Sequence, residues 1–194
     1  MYNFKRRLGE LLNYGSVLIV DNGGNDEVLF PVHGDLFIHC NSGNIGTCSV
    51  IFDIRIKEYF RSYSHILFLD QDTELTSYGY FSLSKLVAYD WGYMSLRNYG
   101  LKSFWNILFS MPKYQFSGSF FSTALLDELS NTIGNLVFLD YCDWLIYWHL
   151  LNKKYSPKMI KNCIGEHVFG NGGRGLFKHS AGRTYIQVKN SNIL

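Results

Sequence analysis

Short, wholly apolar runs alternate with stretches of helical period along this chain, and each run stops at a polar turn. Val17-Leu18-Ile19-Val20 is rich in β-branched residues and ends at Asp21-Asn22-Gly23-Gly24, a strong turn signal. Leu36-Phe37-Ile38-His39-Cys40 reads as a second strand closed by Asn41-Ser42-Gly43, and Ile66-Leu67-Phe68-Leu69 as a third that ends at Asp70-Gln71-Asp72. Between them, Val50, Ile51 and Ile54 predict one helix over residues 46–61, with Asp53 and Lys57 four apart as a surface pair. Further helices are predicted over 77–88, 124–129 and 144–153, the last with a stripe of Trp144, Tyr147, Trp148 and Leu151. A β-like segment over 114–123 carries Ser117-Gly118-Ser119, and Gly170–Gly175 reads as a mobile loop.

Strands that are apolar throughout, each followed by a helix, predict an α/β domain with a mostly parallel central sheet and helices on both faces. In such sheets ligands bind beyond the carboxyl ends of the strands. Asp21-Asn22 and Asp70-Gln71-Asp72 both fall there. No repeat, low-complexity tract or linker divides the chain, so residues 1–194 are expected to form a single domain.

Composition narrows the function classes. The 18 Lys and Arg against 16 Asp and Glu give a net charge of +2, so no basic excess points to a nucleic-acid partner. No apolar run reaches the roughly 18 residues that span a bilayer, and the start, Met1-Tyr2-Asn3-Phe4-Lys5-Arg6-Arg7, is not a secretory signal, so a cytoplasmic protein is expected. Cys40, Cys48, Cys142 and Cys163 lack any metal-knuckle spacing and read as reduced, mostly buried thiols. Trp105, Ile107, Leu108 and Phe109 beside Lys102 and Lys113 are a candidate for peripheral contact with the membrane's cytoplasmic leaflet, with core burial as the competing reading.

The sharpest chemical signal is Asp70-Gln71-Asp72. Two carboxylates one residue apart at a strand end offer hard oxygen ligands for Mg²⁺ or Mn²⁺, which can stabilise a departing diphosphate. An Asp-rich turn that caps the next helix is the alternative. Asp140-Tyr141-Cys142-Asp143 opens an aromatic helix, where the helix dipole favours an ionised carboxylate able to act as general base, or an ordinary N-cap. His167 precedes a Gly-rich stretch, with His179 and Arg183 after it, and is either a ligand or a structural residue.

Taken in order, five segments resemble the family 2 glycosyltransferases, specifically their bacterial rhamnosyltransferase-like branch. They are Val17–Gly23, Asn41–Gly46, Ile66–Thr73, Phe116–Ser122 and Phe138–Asp143, with a weaker tail of His167, His179, Arg183, Tyr185 and Asn190. The resemblance implies a GT-A fold and inverting transfer of a sugar, rhamnose from dTDP-L-rhamnose, to a surface-polysaccharide or lipid-linked saccharide acceptor. It implies that Asp143 is the catalytic base and that Asp21, Asn22 and Asp70 contact the nucleoside. Asp72 and His167 would hold the metal at the diphosphate, while Ser117, Gly118 and Ser119 line the sugar pocket. It also implies a first strand and a C-terminal extension that these 194 residues do not contain, and Leu145 and His149 stand where the family has an acid and an Arg.

Two other classes stay in view. A shortened, non-catalytic glycosyltransferase remnant acting as a binding module accounts for the same motifs. A nucleotidyltransferase on a similar sheet would carry a basic Gly-rich loop after its first strand, whereas Gly23-Gly24 has no Lys or Arg beside it.

Overall fold

A computed structural model describes residues 2–21, 33–43, 47–70, 73–96, 117–133, 142–167 and 184–190. In chain order the elements are α1 (Tyr2–Leu12), β1 (Ser16–Asp21), β2 (Leu36–Cys40), α2 (Thr47–Phe52), α3 (Ile54–Phe60), β3 (His65–Asp70), β4 (Thr73–Leu75) and α4 (Ser77–Ser82), which a 3-10 helix (Leu83–Ala88) continues. Then come β5 (Trp91–Leu96), β6 (Ser119–Ser122), α5 (Thr123–Ile133), α6 (Cys142–Asn152), β7 (Lys158–His167) and β8 (Thr184–Asn190).

One eight-stranded sheet runs in the order β2-β1-β8-β3-β6-β5-β7-β4. This corrects the mostly parallel sheet, and with it the GT-A fold, expected from the sequence. Among the described pairings only β1–β2 and β5–β7 are parallel, while β1–β8, β3–β8, β3–β6, β5–β6 and β4–β7 are antiparallel. An apolar run records that a strand is covered on both faces; it does not record the direction of its neighbours. Residues 184–190 lie between β1 and β3 and pair antiparallel with both.

The pleat of β1 and β3 sorts the core into two layers. Leu18, Val20, Ile66 and Phe68 share one cluster with Val50, Ile56, Leu126, Leu129, Ile146 and Leu150 from α2, α3, α5 and α6. Val17, Ile19, Leu67 and Leu69 form the other with Leu8 and Leu11 of α1 and Leu83 and Leu86 of the 3-10 helix. The N-terminal residues are thus a helix that packs on one face of the sheet.

The predicted helix over 46–61 breaks in two at Asp53 (φ −59°, ψ 127°), whose carboxylate accepts the Arg55 N–H at 2.8 Å and caps α3. The expected Asp53–Lys57 pair does not form. Asp53 binds the Arg55 guanidinium at 2.5 Å and Lys57 reaches Asp127 at 2.9 Å. On α6 the inward stripe is Ile146, Tyr147 and Leu150, while Trp148 is 47% exposed.

Candidate functional site

β1, β3 and β5 point the same way, so Asp21, Asp70 and the end of β5 lie at one edge of the sheet. Asp21 pairs with Thr184 and Asp70 with Tyr185, two strands apart, a spacing of about 10 Å. The register is offset by one residue, and that offset matters. Asp21 belongs to the row of Val17 and Ile19, Asp70 to the row of Ile66 and Phe68, so the pleat assigns the two residues to opposite faces.

Asp70 shares its face with α6. The Tyr147 ring meets Trp91 edge-on at 5.9 Å, and beyond the helix end Tyr155 lines a small cavity with Asp90 and Trp91, where β5 begins. α6 therefore packs on the face of the sheet to which the pleat assigns Asp70. Asp143 lies in the first turn of that helix.

The acidic turn is held at both ends by one buried hydroxyl. Ser117 Oγ accepts the Asp70 N–H at 2.9 Å and shares a hydrogen bond with the Thr73 hydroxyl. Gly118 locks the adjoining backbone: its N–H donates to Phe68 O at 2.7 Å and its carbonyl accepts the Met94 N–H at 2.8 Å. With φ at +89° and the Ile164 side chain 2.7 Å from where a Cβ would stand, this position needs glycine. Ser117 and Ser119 are 3% and 0% exposed, so the Ser117-Gly118-Ser119 segment, expected in the sugar pocket, lies beneath the Asp70 turn as its support.

On the other side of the turn, Thr73 is the register partner of His167, in the antiparallel β4–β7 pair. Partners in such a pair stand about 5 Å apart at Cα. His167 therefore stands opposite Thr73 at the start of β4. Arg7, on α1, donates to Thr73 O at 2.9 Å and ties the N-terminal helix to the same spot. The sequence reading missed Arg7, although Leu8, Leu11 and Leu12 carried a helical spacing that could have placed it.

Asn22 and Asp72 lie outside the described residues, as do Gly170–Gly175, His179, Arg183 and the Trp105–Phe109 stretch. Asp143 and His167 are described as backbone. Among the described residues no three His, Cys, Asp or Glu side chains gather as a metal site.

Beside the turn, on the face covered by α1, a cavity of about 720 Å³ is lined by Arg6, Glu10, Tyr14, Glu74 and Tyr80, among others. Arg6 bridges Glu10 at 2.6 Å and Glu74 at 2.7 Å, and Tyr14 stacks on Tyr80 at 5.5 Å. Burial, with the Glu10 carboxylate beside it, raises the Tyr80 hydroxyl well above its ordinary value. Cys163 is buried and its thiol likewise raised, which leaves it unreactive, while Cys40 is exposed.

No helix among the described residues is long and apolar enough to cross a membrane. Comparison with protein families, with curated proteins and with solved structures yields no match.

Proposed function

We propose that the chain is an inverting, metal-dependent glycosyltransferase that moves a sugar, rhamnose from dTDP-L-rhamnose, to a saccharide or lipid-linked saccharide acceptor in the cytoplasm. The observation that carries this reading is the support of the 70–73 turn: Ser117 holds both of its ends, while the β4–β7 register sets His167 opposite Thr73. The reading does not require a parallel sheet. It requires carboxylates and an imidazole at one edge, with an acid across from them.

When bound, the divalent cation would neutralise charge on the leaving diphosphate. Asp72 and His167 are the residues assigned to hold it, with Asp70 beside them at the ribose. Asp143, in the first turn of α6, would take the proton of the acceptor hydroxyl while that oxygen attacks the anomeric carbon from the face opposite the diphosphate. One base and one charge-stabilised leaving group complete a single inverting displacement, with no protein nucleophile. Product formation from labelled dTDP-rhamnose, lost in Asp143→Asn with folding unchanged, supports this assignment; turnover equal to wild type contradicts it.

A second reading, a non-catalytic binding module, draws on the register offset. A nucleoside gripped by both Asp21 and Asp70 would need them on one face, and the pleat assigns them to two. The two readings part on whether Asp21→Ala weakens nucleotide binding alongside Asp70→Ala.

A further inference from the structure

We infer that the outer surface of α4, its 3-10 continuation and the first half of β7 is a docking surface for an anionic lipid bilayer. Four large apolar or aromatic side chains stand open to solvent within twelve residues: Tyr78 at 48%, Phe81 at 62%, Val87 at 41% and Tyr89 at 36%. Two lysines lie over these rings. Lys85 Nζ is 4.7 Å from the centre of Phe81 and 5.7 Å from that of Tyr78, and Lys158 Nζ is 4.7 Å from that of Tyr89.

The elements behind these residues are fixed together. Thr76 Oγ1 donates to Asn162 O at 2.8 Å, and the backbone of Gly79 lies so close to Cys163 O that a Cβ would meet it at 2.2 Å. The patch is therefore a rigid surface formed by two segments, 77–90 and 153–161. Those segments contain five lysines and a single acid, Asp90. Lys153 is paired with Glu128. Of these lysines, Lys85 and Lys158 are the two that lie over the exposed rings, so each ring cluster carries a positive charge.

Rings with a polar edge and lysines on flexible stems are what the boundary between headgroups and acyl chains accepts. The rings enter it, and the ammonium groups reach lipid phosphates and carboxylates. An acidic protein would satisfy the lysines and leave Phe81, the most exposed of the four, without an apolar environment. Charge and apolarity together favour the bilayer. The inference does not rest on glycosyl transfer, because binding is read without donor, acceptor or metal.

Co-sedimentation of the whole chain with vesicles of phosphatidylcholine alone, and of phosphatidylcholine with phosphatidylserine, tests it. Binding to the anionic vesicles only, released by salt, is expected, and Lys85→Glu and Lys158→Glu should each weaken it roughly fivefold or more. Phe81→Ser should weaken it at unchanged charge, whereas Ile38→Ser, an exposed site on β2, should not. Equal recovery with both vesicle types, loss equal in Ile38→Ser, or binding to soluble polyglutamate without binding to vesicles would each overturn the proposal.

Discussion

Ser117 Oγ accepts the Asp70 N–H at 2.9 Å from 47 positions along the chain, and the same oxygen meets the Thr73 hydroxyl. Ser117 is 3% exposed, so water does not replace its hydroxyl if it is removed. Ser117→Ala should lower stability by about 1–3 kcal/mol, the cost of leaving a buried donor unpaired. Urea unfolding measures that loss. The substitution should also weaken metal-dependent nucleotide diphosphate binding at temperatures where the variant is folded, and unchanged affinity would show that the turn does not depend on Ser117.

Gly118→Ala is expected to be more damaging. It forces an L side chain into φ +89° and drives its Cβ against Ile164 and the Met94 carbonyl. A loss of roughly 2–4 kcal/mol is predicted from the strain and overpacking together. Thermal unfolding of the variant against wild type checks it.

Leu8 is wholly buried in the α1–β1 layer. Leu8→Ala should cost about 2–5 kcal/mol by opening a cavity there. A cost below about 0.5 kcal/mol, the range of surface substitutions, would mean that the N-terminal helix does not seal the sheet.

His65, at the start of β3, has its Nε2 3.1 Å from the Tyr89 carbonyl, so Nε2 carries the proton. Nδ1 is buried with no partner among the described residues. Burial holds the imidazole below its ordinary 6.5, against smaller upward pulls from the Tyr89 carbonyl and Asp90. As pH falls below 6.5 the unfolded chain binds a proton that the folded chain refuses, so stability declines until the folded value is reached. Chemical denaturation from pH 7.5 to 5 should show this decline. His65→Gln should flatten it, and an unaltered slope in that variant would assign the effect to other groups.

How far the sequence specifies this molecule can be read from particular strands. β1 and β3 are legible because Val17–Val20 and Ile66–Leu69 are apolar on both faces, and both faces are covered. Their neighbours were not legible from those runs. Thr184–Asn190 does carry a period-two signal, with Ile186 and Val188 alternating with Gln187 and Lys189, and these two apolar positions pair with Ile19, Leu69, Val17 and Leu67. The period says strand but not which slot, and the slot between β1 and β3 makes the sheet mixed. Within the site, the Asp70 turn is legible as the polar end of an apolar strand. The burial of Ser117 was not visible, because a Ser-Gly-Ser turn reads the same under a loop as in an open pocket. Asp53 was read as one partner of a surface pair, while its actual use as an N-cap splits the helix.

The account rests on a carboxylate-held cation that makes nucleotide diphosphate binding possible. Calorimetric titration of dTDP into the purified chain, with and without Mn²⁺, tests it most directly when repeated on Asp72→Ala. Binding that appears only with the metal and falls by about tenfold or more in Asp72→Ala, a loss of about 1.4 kcal/mol, is the predicted result. Affinity that ignores both the metal and the substitution would contradict the account.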